Sequence, residues 1–168
     1  MQNFAVYINP AFSDKKSIYN LLEKLRNHSD VNFFSIDTIP DLPKELFKPL
    51  PKPANRKHID CILVFGGDGT ILKAKDLALL TGAPILGINL GYLGFLSESV
   101  LPEIASSIQN LKQGKYRLLQ RMLIECRLKR EGKIIYEALA LNDVVIHKAE
   151  SPGLIHIRIK AGGRYVFD

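Results

Sequence analysis

The sequence predicts an open α/β domain followed by the first part of an all-β domain. Three observations carry that prediction. Apolar strand-like runs alternate with amphipathic helical stretches up to about residue 114. A glycine-rich joint, GGDGT at Gly66–Thr70, links a wholly apolar run to a helix. After Gly114 the hydrophobic period changes from helical to strand-like.

Taken in order, Phe4–Asn9 (FAVYIN) reads as a buried strand closed by Pro10. Ile18, Leu21, Leu22 and Leu25 then fall on one face of a helix. Val31–Ile36 (VNFFSI) is a short second strand. Residues 40–53 hold five of the nine prolines and read as an exposed loop rather than an element. Ile59–Phe65 (IDCILVF) is apolar throughout, as expected of a central parallel strand covered on both faces. A helix is predicted from about Thr70 to Leu80, ending near Gly82, and Pro84–Asn89 (PILGIN) is the next strand. Leu101, Ile104, Ala105, Ile108 and Leu111 mark a further helix stopped by Gly114.

Beyond it, Met122, Ile124, Cys126 and Leu128 alternate with charged residues, which predicts a half-buried antiparallel strand. REGK (Arg130–Lys133) is a turn, and IIYEALALNDVVIHK returns as a longer strand. His156, Arg158 and Lys160 alternate with Ile157 and Ile159, and AGGR turns into YVFD. The ligand crevice of an open α/β sheet is expected at the C-terminal ends of its strands.

The chain has 168 residues, 46% hydrophobic and 24% charged, enough for one ordinary core. No apolar run approaches the roughly 20 residues that span a bilayer. The start, MQNFAVYINP, lacks the basic and long apolar regions of a signal peptide. A cytoplasmic protein with no membrane partner is expected. Cys61 and Cys126 lie far apart inside strand-like runs and read as reduced core residues, not as a disulfide or metal site. Of the net charge of +6, residues 115–168 carry eleven Lys/Arg against six acids. That bias is either a set of solvated strand faces or an attraction for an anionic small molecule. No dense basic run interleaved with aromatics points to nucleic acid.

The joint concentrates the chemistry. Gly66 and Gly67 let the backbone adopt positive φ and let a ligand approach without Cβ clashes. Asp68 and Thr70 fall at a helix start, where backbone N–H groups favour anions. The plainer alternative is a helix cap, but a cap needs one Asp or Thr, not two glycines before it and Gly69 between. The motif is neither GxxxxGK[ST] nor GxGxxG.

GGDGT with ILKA, then GINLGYLGFL (Gly87–Leu96), QRMLIECRL (Gln120–Leu128) and LNDVVIHK (Leu141–Lys148), resembles the NAD kinase family. GGDGT alone is shared with diacylglycerol-type lipid kinases; the ordered set of four motifs is more specific. The resemblance implies transfer of the ATP γ-phosphoryl group to the 2′-hydroxyl of the adenosine ribose of NAD, giving NADP, with a divalent metal (Mg) accompanying ATP. It implies an α/β nucleotide-binding domain over residues 1–100. Residues 101–168 would be a connecting helix and a partial all-β dinucleotide-binding domain.

By the same resemblance Asp68 approaches the 2′-hydroxyl as proton acceptor. Gly66, Gly67, Gly69 and Thr70 leave room for phosphates, and Lys73 neutralises their charge or is simply an exposed helix lysine. Asn89 lies at the ligand crevice or caps a turn. Leu93, Gly94 and Phe95 line the dinucleotide site, though Phe95 fits a core position equally well. Asn142 and Asp143 interrupt an apolar strand, which costs energy unless they are paired. The resemblance gives them the adenine-ribose side of NAD, with Asp143 in place of the usual Glu; an edge bulge is the alternative. The four histidines show no metal-ligand spacing, so the metal is expected to arrive with the nucleotide.

The family continues with a further Asp-Gly pair and a Thr-Pro-Thr-Gly-Ser-Thr-Ala-Tyr run, and neither follows here. The expectation is therefore an N-terminal fragment or a truncated gene product. Alone it would have little kinase activity and would associate through its open strand edge, as a homo-oligomer. A diacylglycerol-type lipid kinase and a non-catalytic dinucleotide-binding fragment are the alternatives. Donor preference between ATP and polyphosphate is left open.

Overall fold

A computed structural model of the chain describes residues 1–35, 45–50, 58–91, 94–147, 154 and 156–167. These form two compact units, Met1–Gln120 and Arg121–Asp168.

The first unit is built on a parallel sheet. Its strands are β1 (Asn3–Ile8), β2 (Asn32–Ser35), β3 (Phe47–Pro49), β4 (Cys61–Phe65), β5 (Ile85–Asn89) and β6 (Ser99–Val100). The order is β3-β2-β1-β4-β5-β6, with every neighbouring pair parallel. Helix α1 (Lys15–His28) connects β1 to β2 and α2 (Asp68–Thr81) connects β4 to β5, while α3 (Ile104–Lys112) follows β6 after a 3-10 turn at Leu101–Glu103. Asp14 caps α1, its carboxylate accepting from the Ser17 N–H at 3.2 Å and the Ser17 hydroxyl at 2.6 Å. Those bonds hold the Asp14 carboxyl below its ordinary pKa.

Successive side chains of a strand point to opposite faces, and here both faces are covered. From β1, Phe4, Val6 and Ile8 enter one core with Ile18 and Leu22 of α1 and Ile104 and Ile108 of α3. Ala5 enters the other with Ile71, Ala74 and Leu77 of α2. In β4, Cys61, Leu63 and Phe65 join the first core, and Ile62 and Val64 the second. This explains the uninterrupted apolar run of β4, every residue of which is buried. No described helix is long and apolar enough to cross a membrane.

Three features of the first unit differ from expectation. The proline-rich stretch holds an element after all: β3 pairs with β2, and Leu46 and Phe47 are buried. Pro49 is tolerated because β3 is an edge strand, where a missing N–H breaks no ladder bond. Residues 40–44 and 51–53 lie outside the described residues. Strand β6, only two residues long, was not anticipated. Helix α2 starts at Asp68, two residues earlier than expected, because Gly67 is its N-cap. It ends as predicted, with Gly82 in the left-handed region at φ 72° donating its N–H to Ala78 at 2.8 Å.

The second unit contains two antiparallel pairs, β7 (Ile124–Arg130) with β8 (Lys133–Ala140), and β9 (Ile159–Ala161) with β10 (Arg164–Phe167). Each turn has two central residues of positive φ, Glu131 and Gly132 at 52° and 77°, and Gly162 and Gly163 at 56° and 77°. That conformation matches the twist of the strands it joins. Two expectations fail here. The strand after REGK stops at Ala140, so Asn142 and Asp143 follow it in an exposed segment rather than interrupting it. Strand β7 is not half-buried: most of its residues, and most of those of β8, are exposed. A two-stranded ribbon has no second layer of its own to cover its apolar side.

Both cysteines are free, but only Cys61 is a core residue; Cys126 is partly exposed, for the same reason as the rest of β7. Burial pushes the Cys61 thiol up to about 12. A thiol reagent at pH 8 is therefore expected to label one cysteine per folded chain, Cys126, and two after denaturation. Rapid labelling of Cys61 in the folded protein, read by peptide mass mapping, would contradict its burial.

Candidate active site

In the sheet register Ile8 pairs with Phe65, and Phe65 with Ile88. The next residues, Asn9, Gly66 and Asn89, therefore stand side by side at the C-terminal edge. Backbone bonds carry the pairing to that row: the Asn9 N–H donates to Phe65 at 2.8 Å, and the Gly66 N–H to Ile88 at 2.9 Å. Both asparagines fold back on their own turns. Asn9 Oδ1 accepts from the Ala11 N–H at 3.0 Å, and Asn89 Oδ1 from the Gly91 N–H at 2.9 Å. From β1 the chain runs outward to β2 and β3, then returns on the other side to β4, β5 and β6. The connections diverge between β1 and β4, and a crevice opens at such a switch point.

Two cavities lie there. One, of about 300 Å³, is lined by Asn9, Pro10, Gly67, Gly69, Thr70 and Lys73. The other, of about 290 Å³, lies on the β5 side and includes Asn9, Gly66, Gly67, Asn89 and Gly91. Asn9 and Gly67 belong to both.

The glycines of the joint have different reasons. None has positive φ, so the expectation of left-handed backbone here is corrected; Gly67 sits at φ −94°. A Cβ at Gly66 would fall 2.3 Å from Thr70 Oγ1, so Gly66 is required by the buried Thr70 beneath it. At Gly67 and Gly69 a Cβ would meet nothing within 4 Å. The chain's own packing does not require those two glycines, and both border the cavity that also includes Lys73.

Asp68 is not a helix cap. Gly67 occupies that position without a side-chain cap bond. The Asp68 carboxylate turns instead to the segment after β5, where Oδ2 accepts from the Phe95 N–H at 2.9 Å and Oδ1 from the Leu96 N–H at 3.0 Å. A carboxylate has about four acceptor positions, so each oxygen retains one for a further partner. Asp68 is partly exposed and is not among the residues lining either cavity.

The structure thus brings together Gly66, Gly67, Asp68, Gly69, Thr70, Lys73, Asn89, Gly94 and Phe95 within the first unit. Leu93 lies outside the described residues. Phe95 is no core residue, being 94% exposed. Asn142 and Asp143 belong to the second unit. Sequence reasoning missed Asn9, Pro10, Gly91 and Leu96. For Asn9 a signal existed: Ile8-Asn9 at the end of β1 repeats the Ile88-Asn89 pair that closes β5, a polar residue directly after an apolar run.

Residues 47–116 match a family profile described as the ATP-NAD kinase N-terminal domain. Over that segment the chain is similar to the NAD kinase family. Curated relatives agree with this match. The NAD kinase of Heliobacterium modesticaldum is 38% identical over 120 residues, covering 71% of this chain and 42% of the relative. That of Delftia acidovorans is 38% identical over 110 residues, covering 66% of this chain and 37% of the relative. NAD kinase 2 of Gloeobacter violaceus is 41% identical over 106 residues. The chain thus spans well under half the length of these relatives. In fold it is similar to yeast NADH kinase, solved in complex with NADH, at TM-score 0.74 and 24% identity, over 99% of this chain and 54% of that one.

Proposed function

We propose that this chain carries the nucleotide-handling part of an NAD kinase. In that reading the 2′-oxygen of the adenosine ribose of NAD attacks the γ-phosphorus of ATP, the bond to the bridging oxygen breaks, and NADP and ADP leave. The observation that carries the reading is Asp68: a carboxylate beside the sheet's switch point, held by two backbone N–H groups, in the segment that matches the family. Phosphoryl transfer needs alignment and charge stabilisation more than a strong base. Asp68 would orient the 2′-hydroxyl and take its proton late. Gly67 and Gly69 leave space for phosphate oxygens, the first N–H groups of α2 face them, and the Lys73 ammonium offsets their charge.

Asn89 would hold the dinucleotide in the β5-side cavity. Phe95 is assigned to the dinucleotide by resemblance, its exposed ring offering a face to a base, and Gly94 precedes it in the same segment. Leu93 and the Asn142–Asp143 pair are assigned to the dinucleotide by resemblance. Among the described residues no three His, Cys, Asp or Glu side chains converge to hold a metal ion. The divalent cation, magnesium, belongs in this proposal to the triphosphate. The division into an α/β nucleotide-binding domain and a dinucleotide-binding β domain, a cytoplasmic location and a homo-oligomeric state are part of the same proposal. The exposed apolar residues of β7 and β8 favour association.

Thermal-shift titration with NAD, ATP and a short-chain diacylglycerol tests the reading. NAD at 100 times its Kd is expected to stabilise by about 2.7 kcal/mol, a rise of several degrees in Tm. Stabilisation by the lipid alone would favour a lipid kinase.

A further inference from the structure

The position of Gly94 has a specific consequence for Asp68. A Cβ built at Gly94 would lie 2.2 Å from Asp68 Oδ1, 2.7 Å from its Cγ and 2.9 Å from Oδ2. These three closest atoms all belong to one carboxylate. The next two residues then donate their N–H groups to its two oxygens, at 2.9 and 3.0 Å. The carboxylate rests against a bare Cα and is gripped from the adjoining backbone.

The segment that supplies this grip is itself fixed. The Glu98 N–H donates to Gly87 of β5 at 3.0 Å. A Cβ at Gly87 would fall 2.5 Å from Ile71 Cδ1, 3.1 Å from Ser97 Cα and 3.3 Å from the Leu96 carbonyl oxygen. Two missing side chains thus act in series. Gly87 lets residues 96–98 lie close against β5 and α2, and Gly94 admits the carboxylate to the docked segment. A short acid in the first turn of a helix has several staggered rotamers open to it. Two N–H donors and a floor without a side chain leave it one.

We propose that Gly94 is a positioning residue: its missing side chain is the seat of the Asp68 carboxylate, and it acts through Asp68 rather than by contact with a ligand. Leu96 and Phe95 complete the seat through their backbone N–H groups, so their side chains can change without loss of the grip. The use of the seat in catalysis rests on the reading of Asp68 given above; the seat itself does not.

A double-mutant cycle on the intact gene product tests this. Gly94→Ala should lower Tm by about 3–10 °C in the parent, the expected scale for a side chain forced into a filled site. In an Asp68→Ala background the same change should cost no more than about 1 °C, because the obstructing carboxylate is gone. If Gly94→Ala does not fold, recovery of folding in the double variant upholds the seat, and failure to recover overturns it. Equal losses in both backgrounds overturn it too, since they would mean that glycine is needed for the backbone alone. In turnover, Gly94→Ala should reduce kcat at least tenfold with KM for NAD within about threefold. A parental kcat, or a raised KM alone, would overturn the positioning role. Coupled stability losses in a parent that makes no NADP would uphold the seat while removing the proposed reaction, so the two failures are distinguishable.

Discussion

Asp68→Asn is expected to cut NAD turnover by 10²-fold or more while leaving NAD binding within about tenfold, in the intact gene product. Asparagine keeps the shape of the side chain and loses the proton acceptor, a contribution of roughly 10²–10⁴ in rate. The hydrogen bonds at this site add a second effect. Asp68 accepts from both Phe95 and Leu96, whereas an amide has one acceptor oxygen. One backbone N–H would face an NH₂ group, at a cost of about 1–3 kcal/mol. The variant should therefore also melt a few degrees lower. Steady-state kinetics with an NAD titration checks the first effect and a melting curve the second. Near-parental turnover with reduced stability would make Asp68 a tie between α2 and the segment after β5, and nothing more.

The second large effect is expected in the core. Phe65 ends β4, is fully buried and packs in the cluster that includes Ile8, Ile88 and Ile104. Phe65→Ala should cost about 3–5 kcal/mol, from lost burial and the cavity left behind. That is a large part of the roughly 5–15 kcal/mol available to an ordinary domain. The cavity would lie directly under Gly66, so the row Asn9–Gly66–Asn89 should loosen with it. Urea denaturation measures the loss. A change below about 1 kcal/mol would mean that β4 is not the central strand that its neighbours make it.

How far the sequence revealed these features depended on which atoms carry them. Strand β4 was legible because burial on both faces leaves an unbroken apolar run, and α2 because Gly82 marks its end. Strand β3 was not, because Pro49 and the surrounding prolines outweigh the signal of Leu46 and Phe47. Alternation in β7 correctly gave strand and pairing, but alternation reports a face suited to burial, not whether anything covers it. Within the site, Gly66, Asp68, Lys73 and Asn89 stood out because their side chains, or the lack of one, interrupt an apolar pattern. Asn9 needed the sheet register, which places it beside Gly66 although 57 residues separate them in the sequence. The grip on Asp68 was invisible for a simpler reason: its donors are backbone N–H groups of Phe95 and Leu96, and every residue except proline has one.

The most direct measurement is to supply the intact gene product with NAD and γ-labelled ATP and locate the label in the product. Label on the 2′-oxygen of the adenosine ribose, reduced at least a hundredfold in Asp68→Asn, is the predicted result. No transfer to NAD, or transfer to a diacylglycerol instead, would contradict it.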